Sequence, residues 1–288
     1  MSTDTPTSQS TSLGYMRRSP AGMLLTALTV IAAFLWFFPV YWAMVTSLRS
    51  DQDTVSDFGL IPTRPTVENY IFSIVNSDLP IWYVNSTITS VGTTVLVVLM
   101  SACTGYAISQ LRFPGRLLLW WTILASFMVP VTALIVNHFI IMADVGLLNS
   151  HLGVILPMLI SPVTVIVYKQ FFDGLPKEFR EAAVMDGATE FQLFYRVFLP
   201  MNWGVTTALA IITFIGAWNA FLWPFLVAQD EKMMTVTVGV AAVQDAFGVA
   251  YGRVLAGAVL ASLPVALAYL FFQRRVTQAI ALSAGIKG

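Results

Sequence analysis

Six long stretches of this chain carry no charged side chain. They lie between Arg18 and Arg49, Asp78 and Arg112, Arg116 and Asp144, Asp144 and Lys169, Arg196 and Asp230, and Arg253 and Arg274. A helix crossing a hydrocarbon core of about 30 Å needs roughly 20 consecutive apolar residues, and each interval holds that many. The pattern predicts an all-α, polytopic membrane protein with six transmembrane helices, near 22–47, 82–108, 117–142, 153–172, 204–228 and 254–273. Spans and short polar connections alternate and leave no room for a separate soluble domain. Residues 22–288 therefore read as one transmembrane domain, and the Ser/Thr-rich residues 1–21 as a disordered cytoplasmic tail. The first apolar run is too long for a cleaved signal peptide and reads as an anchor.

Two polar connections are large enough to matter. The segment 49–80 holds Asp51, Asp53, Asp57, Glu68 and Asp78, and it is broken by Pro62, Pro65 and Pro80. The loop 174–200 is charged and helix-forming. A third segment, 235–244, is apolar but too short to span, so it reads as re-entrant or lying on the surface.

Composition supports this reading: the chain is 57% hydrophobic and 10% charged, where soluble domains carry about 25% charged residues. Its formal net charge of zero conceals a sidedness. With both termini inside, Arg17, Arg18, Arg112, Arg116, Lys169, Lys177, Arg180, Arg196, Arg274, Arg275 and Lys287 face the cytoplasm. Arg49, Arg64, Lys232 and Arg253 face outward, which makes 11 against 4. This predicts a multi-pass protein of the cytoplasmic (inner) membrane with cytoplasmic termini, and nucleic acid is not an expected partner. Cys103 is the single cysteine, so no disulfide or zinc cluster forms within the chain.

The loop 174–200 has its own local logic. Pro176 suits a first helical position, where its missing N–H costs nothing, and Glu178 complements the helix dipole. Phe179, Ala182, Ala183 and Asp186 follow at helical spacing. Gly187 suits a left-handed turn. Thr189 and Gln192 make a capping box for a second helix with an apolar edge of Phe191, Phe194 and Phe198, and Pro200 marks the bend into the fifth span. Local chemistry gives helix, glycine turn, helix. The small Ala182–Ala183 pair allows close approach of a partner surface; an amphipathic helix on lipid headgroups is the plainer alternative.

The run Glu181-Ala182-Ala183-Val184-Met185-Asp186-Gly187-Ala188, continued through Phe194 and Val197 to Leu199-Pro200, resembles the EAA loop of permease subunits in binding-protein-dependent ABC importers. Further segments are similar to that family: Trp82-Tyr83-Val84-Asn85-Ser86, Gly105-Tyr106-Ala107-Ile108 with Arg112-Phe113-Pro114-Gly115-Arg116, Gly146-Leu147-Leu148-Asn149-Ser150, Trp218-Asn219-Ala220-Phe221-Leu222-Trp223-Pro224, and Gly285-Ile286-Lys287-Gly288. They look like the carbohydrate branch of the family, the maltose and glycerol-phosphate type, and like the second permease of the pair. Val197 stands where the family usually has isoleucine, and Ala279-Ile280-Ala281 lacks a glycine often found there.

The resemblance implies an ABC importer permease fold over residues 25–288. It makes Glu181, Ala182, Ala183, Asp186, Gly187, Leu199 and Pro200 an ATPase-coupling element. It also implies a second homologous permease, an ATP-binding cassette ATPase dimer and an extracytoplasmic solute-binding protein as partners. No Gly-x-x-x-x-Gly-Lys-Ser/Thr run is present, so ATP and magnesium belong on the partner ATPase and no cofactor is expected in this chain. Of the outer segments, 235–244 reads as the better insert into a binding protein.

Trp218, Asn219 and Trp223 are the candidates for touching substrate, because aromatic faces beside an amide suit a sugar's apolar ring face and hydroxyl rim. Trp223 and Trp218 equally suit interface anchoring, and Asn219 an interhelical hydrogen bond. His138 and His151 lack ligand-type partners nearby and read as structural. A permease for a non-sugar solute is an alternative. A secondary transporter is another, though the spans hold no central carboxylate or base for ion coupling.

Overall fold

The computed structural model describes residues 20–50, 53–54, 59–242 and 250–283, and the regular elements among them are all helical. In chain order they begin with α1 (Pro20–Ser47), α2 (Glu68–Val75), α3 (Leu79–Gln110), α4 (Arg116–Phe127), α5 (Ile135–Asp144), α6 (His151–Ile155) and α7 (Pro162–Asp173). Next come α8 (Lys177–Met185), α9 (Glu190–Leu193), a π turn at Phe194–Phe198, and α10 (Leu199–Met201). The last are α11 (Trp203–Trp218), α12 (Leu222–Val227), α13 (Val236–Ala242) and α14 (Tyr251–Ser283). The described residues fall into two compact units, one within 20–70 and 250–259, the other within 71–242 and 260–283.

Among the described residues, three helices are long and apolar enough to cross a membrane alone: α1, α3 and the 251–273 part of α14. Three bent pairs pass the same test together, giving six if each is one span. α1 shows why: it is apolar all round and Trp36 is 85% exposed, as suits a helix solvated by lipid. α3 reverses the soluble pattern. Trp82, Ser86, Ser90, Thr93, Val97 and Ser101 recur every three or four residues and are buried, while Val84, Ile88, Val91, Val95 and Leu99 are exposed. Residues that are mostly hydroxyl-bearing face protein and the aliphatic ones face outward, the arrangement that helix packing in a bilayer favours.

The expected spans near 117–142, 153–172 and 204–228 are not straight rods. The first breaks after Phe127, and Val131–Asp144 leaves at 93° to Arg116–Phe127. Pro130 lies in the break, lacking an N–H and disfavouring helical backbone at Val129. The second bends by 50° at Ile160–Ser161, ahead of Pro162. The third ends at Trp218 and resumes as α12 at Leu222. The bend into it comes at Asn202, where Glu190–Met201 meets Trp203–Trp218 at 79°, two residues beyond Pro200. Pro200 instead sits in the first turn of α10, which needs no N–H from it.

The larger unit is built on α3. Gly105 lets α7 cross it closely: a Cβ there would stand 2.7 Å from the Tyr168 Cβ and 3.1 Å from the Lys169 amide nitrogen. Around this crossing, Tyr106, Tyr168, Phe172, Leu193, Phe194, Phe198 and Leu209 form one buried cluster. At the other end of α3, one face holds the segment 231–236. The Trp82 indole donates to the Glu231 carbonyl at 2.7 Å, Asn85 donates to the carbonyls of Lys232 and Met234 at 2.8 and 3.0 Å, and the Ser86 hydroxyl accepts from the Val236 amide at 2.8 Å. His151 bonds the remaining Asn85 oxygen at 2.9 Å.

In the smaller unit, Asn69 is buried and donates to the Ser47 and Arg49 carbonyls at 3.0 and 2.7 Å, and Tyr70 bonds the Ser47 hydroxyl at 2.6 Å.

Candidate functional site

The loop 174–200 folds as helix, turn, helix. α8 begins after Pro176, which is the cap rather than the first helical residue. At its far end the Gly187 amide donates to the Val184 carbonyl at 2.9 Å and the Ala188 amide to the Ala183 carbonyl at 3.0 Å. This is the Schellman pattern, and it requires the left-handed φ of 78° found at Gly187. α9 opens with the expected capping box: the Gln192 amide donates to Thr189 Oγ1 at 3.3 Å, and the Thr189 amide to Gln192 Oε1 at 2.8 Å.

The hairpin has two faces. Phe194 and Phe198 enter the buried cluster, carried inward by the π turn, whose extra residue rotates the side chains that follow. Phe191, expected on the same edge, points the other way and is 72% exposed. Phe179, Val184 and Met185 are exposed as well, Met185 at 87%. The alanine pair divides: Ala182 is exposed, while Ala183 is half-buried against the cluster beside Ala188. Glu181, Asp186, Gly187 and Pro200 are exposed, and Leu199 packs on the cluster.

Beside the hairpin is a cavity of about 1420 Å³, where Arg112, Arg116, Arg180 and Glu190 stand among apolar side chains such as Val184 and Met185. Arg180 and Glu190 form a two-point ion pair across the hairpin, one bond being Nη1 to Oε2 at 3.2 Å and the other Nη2 to Oε1. Burial alone would raise the Glu190 carboxyl, but hydrogen bonds from Arg180 and Tyr106 and the Arg180 charge outweigh it and hold it below the usual carboxylate value.

The three residues proposed for substrate are not alike. Trp218 is 3% exposed, its indole N–H donates to the Ala261 carbonyl at 3.0 Å, and it stacks edge-on with Tyr83. The half-buried Trp223 lies within 3.2 Å of the carbonyls of Gly153 and Val154 and is edge-on to His138. Asn219 caps α11 and is exposed. It shares a face of the helix with the exposed Ile212 and Gly216, at spacings of four and three. A second cavity of about 390 Å³ lies between α3, α7 and α11, with Thr93, Ser161, Thr164 and Thr213 among apolar side chains.

The segment expected as an outer insert packs within the chain instead. Val236, Val238, Gly239 and Val240 are buried, and a Cβ at Gly239 would fall 2.2 Å from the Trp82 ring. Residues 243–244 of that segment, and the terminal Gly285–Gly288, lie outside the described residues. Sequence reasoning missed the Trp82, Asn85, Ser86 contact set, although the spacing of three and four already put these residues on one face.

The family model for the inner membrane component of binding-protein-dependent transport systems matches residues 96–281. The AraQ permease protein of the arabinooligosaccharide transport system of Bacillus subtilis is 30% identical over 268 residues, spanning 92% of this chain and 95% of that one. The LacG permease protein of a lactose transport system of Rhizobium radiobacter is 30% identical over 263 residues, 91% of this chain and 96% of its own. Among solved structures, a bacterial ABC transporter involved in import of the acidic polysaccharide alginate superposes with a TM-score of 0.81, covering 94% of this chain and 99% of that one at 20% identity. The chain belongs to the family of inner membrane components of binding-protein-dependent transport systems.

Proposed function

We propose that this chain is the permease subunit of an ATP-driven importer for a carbohydrate or sugar derivative, in which hydrolysis takes place on a partner ATPase dimer. A second homologous permease completes the pathway, and an extracytoplasmic binding protein delivers the solute. The chain itself carries no catalytic chemistry and no cofactor. The observation that carries the reading is the set of exposed apolar side chains on the α8–α9 hairpin, Val184, Met185 and Phe191, with Ala182 exposed as well, on a loop closed by a glycine turn and a capping box. Exposed apolar side chains on a polar loop suit a protein partner. Closure of the ATPase dimer would then shift the hairpin, and a two-state repacking of the spans would open the pathway to one side and then the other.

The sugar reading draws on relatives named for oligosaccharide and lactose transport. Asn219, with Gly216 and Ile212 on the same face of α11, is the candidate for pathway contact from this chain. Trp218 and Trp223, with their indole N–H groups directed at backbone carbonyls, fit the role of holding α11 and α12 in place.

Ala182→Arg tests the docking reading, since it adds bulk and charge on the outer face of α8 without entering the core. The variant is expected to insert normally and to lose co-purification with the ATPase. Retention of ATPase at the wild-type ratio would remove the hairpin from the docking surface.

A further inference from the structure

Three side chains distant in sequence meet at the cytoplasmic end of α3. Tyr106 lies one turn before the end of that helix, Arg180 is on α8, and Glu190 opens α9. Glu190 receives both ends of the Arg180 guanidinium, and its Oε2 also accepts the Tyr106 hydroxyl at 2.7 Å. Arg180 Nη1 approaches the same hydroxyl at 3.4 Å.

An exposed ion pair alone is weak, because two long side chains are ordered in a medium that screens them. This one differs in two respects. Its bidentate geometry fixes the angle between α8 and α9 as well as their separation. Its third member is anchored in a long apolar helix: the Tyr106 ring packs on Phe194 and Phe198 with centroids 5.2 Å away, and on Phe172 at 6.1 Å. The ring cannot leave without opening the buried cluster, so the hydroxyl is a fixed point to which both hairpin helices are tied. The apolar docking edge and this polar tie involve different residues, so the two can be altered separately.

We propose that Tyr106, Arg180 and Glu190 form a clamp that transmits displacement of the α8–α9 hairpin to α3, acting as positioning residues for coupling. The inference rests on the reading of the hairpin as the element on which the ATPase docks. If the clamp is released, the hairpin still presents its docking edge but moves without dragging α3, so hydrolysis continues while transport lags.

The test uses the assembled complex with its ATPase, in a Cys103→Ser background. Spin labels at Arg112→Cys and Lys177→Cys report the position of α8 relative to the end of α3. Glu190→Gln, Arg180→Gln and Tyr106→Phe are each expected to broaden the distance distribution and to lower solute uptake per ATP hydrolysed by about threefold or more, with the ATPase still bound. Because the three act as one unit, Tyr106→Phe combined with Glu190→Gln should lose no more than the worse single variant. The exchange Arg180→Glu with Glu190→Arg should recover most of the loss, which a role in packing alone would not allow. Wild-type uptake per ATP in Glu190→Gln, or losses that multiply in the double variant, would overturn the clamp while leaving docking intact. Failure of the ATPase to bind the wild-type chain would refute the docking reading, and the clamp as a coupling device with it.

Discussion

At the scale of single residues, Asn219 and Trp218 make opposite predictions although they are neighbours. Trp218→Phe removes a second donor to the Ala261 carbonyl, which keeps its place inside a helix, so it should lower the melting temperature of the purified complex by a cost of about 0.5–1.5 kcal/mol. Asn219→Leu removes an exposed amide and should leave melting unchanged, while reducing uptake per assembled complex by roughly tenfold if a sugar hydroxyl is its partner. Reduced melting in Asn219→Leu with normal uptake would assign that residue to structure. Glu190 makes a pH prediction. Its folded pKa lies below the ordinary 4.5, so the stability it contributes is present above that value and is lost as pH falls through the lowered one. The melting difference between wild type and Glu190→Gln, about 1 kcal/mol or less for so exposed a pair, should therefore hold from pH 7 to about 5 and shrink in stronger acid. Sequence showed Gly187 and the Thr189–Gln192 box because both are local devices. It could not show that Trp218 is satisfied within the chain, or that Ala183 faces inward, since both depend on a partner segment far along the chain.

At the scale of elements, two glycines mark where helices touch. Gly105→Val would drive a side chain into Tyr168 at the α3–α7 crossing, and should cost about 1–3 kcal/mol, read as a lower melting temperature and poor yield. Gly239→Leu would press on the Trp82 ring and should release α13 from α3, read as increased protease cleavage within 231–242. The six apolar intervals were legible from charge spacing alone, because the bilayer imposes a minimum length. The breaks near Pro130 and at Ile160–Ser161 were less so. Prolines are tolerated inside membrane helices when neighbours satisfy the freed carbonyls, so a proline in an apolar run does not by itself say whether the helix bends. The segment 235–244 reads as too short to span, and its described helix is only Val236–Ala242; the apolar character of that helix belongs to packing on Trp82 and Ser86 rather than to an exposed insert.

At the scale of the whole molecule, the exposed α8–α9 hairpin is continuous through the buried aromatic cluster with the long apolar helix α3. The orientation expected from 11 cytoplasmic against 4 outer basic residues would make the hairpin reachable only from inside. A cysteine at Asp186 in a Cys103→Ser background should react with an impermeant thiol reagent after lysis and not in intact cells; the reverse would overturn the orientation. The most direct test of ATP-driven import through this hairpin is uptake by proteoliposomes holding the full complex, with the loaded binding protein outside and ATP inside, comparing wild type with Gly187→Val. Valine at a φ of 78° meets a steric penalty of roughly 1–2 kcal/mol and should unwind the Schellman turn without touching the core. Wild type is predicted to take up solute only with ATP, and Gly187→Val to assemble, hydrolyse little ATP in response to loaded binding protein and transport at a small fraction of the wild-type rate. ATP-independent uptake by wild type, or full uptake by Gly187→Val, would contradict the account.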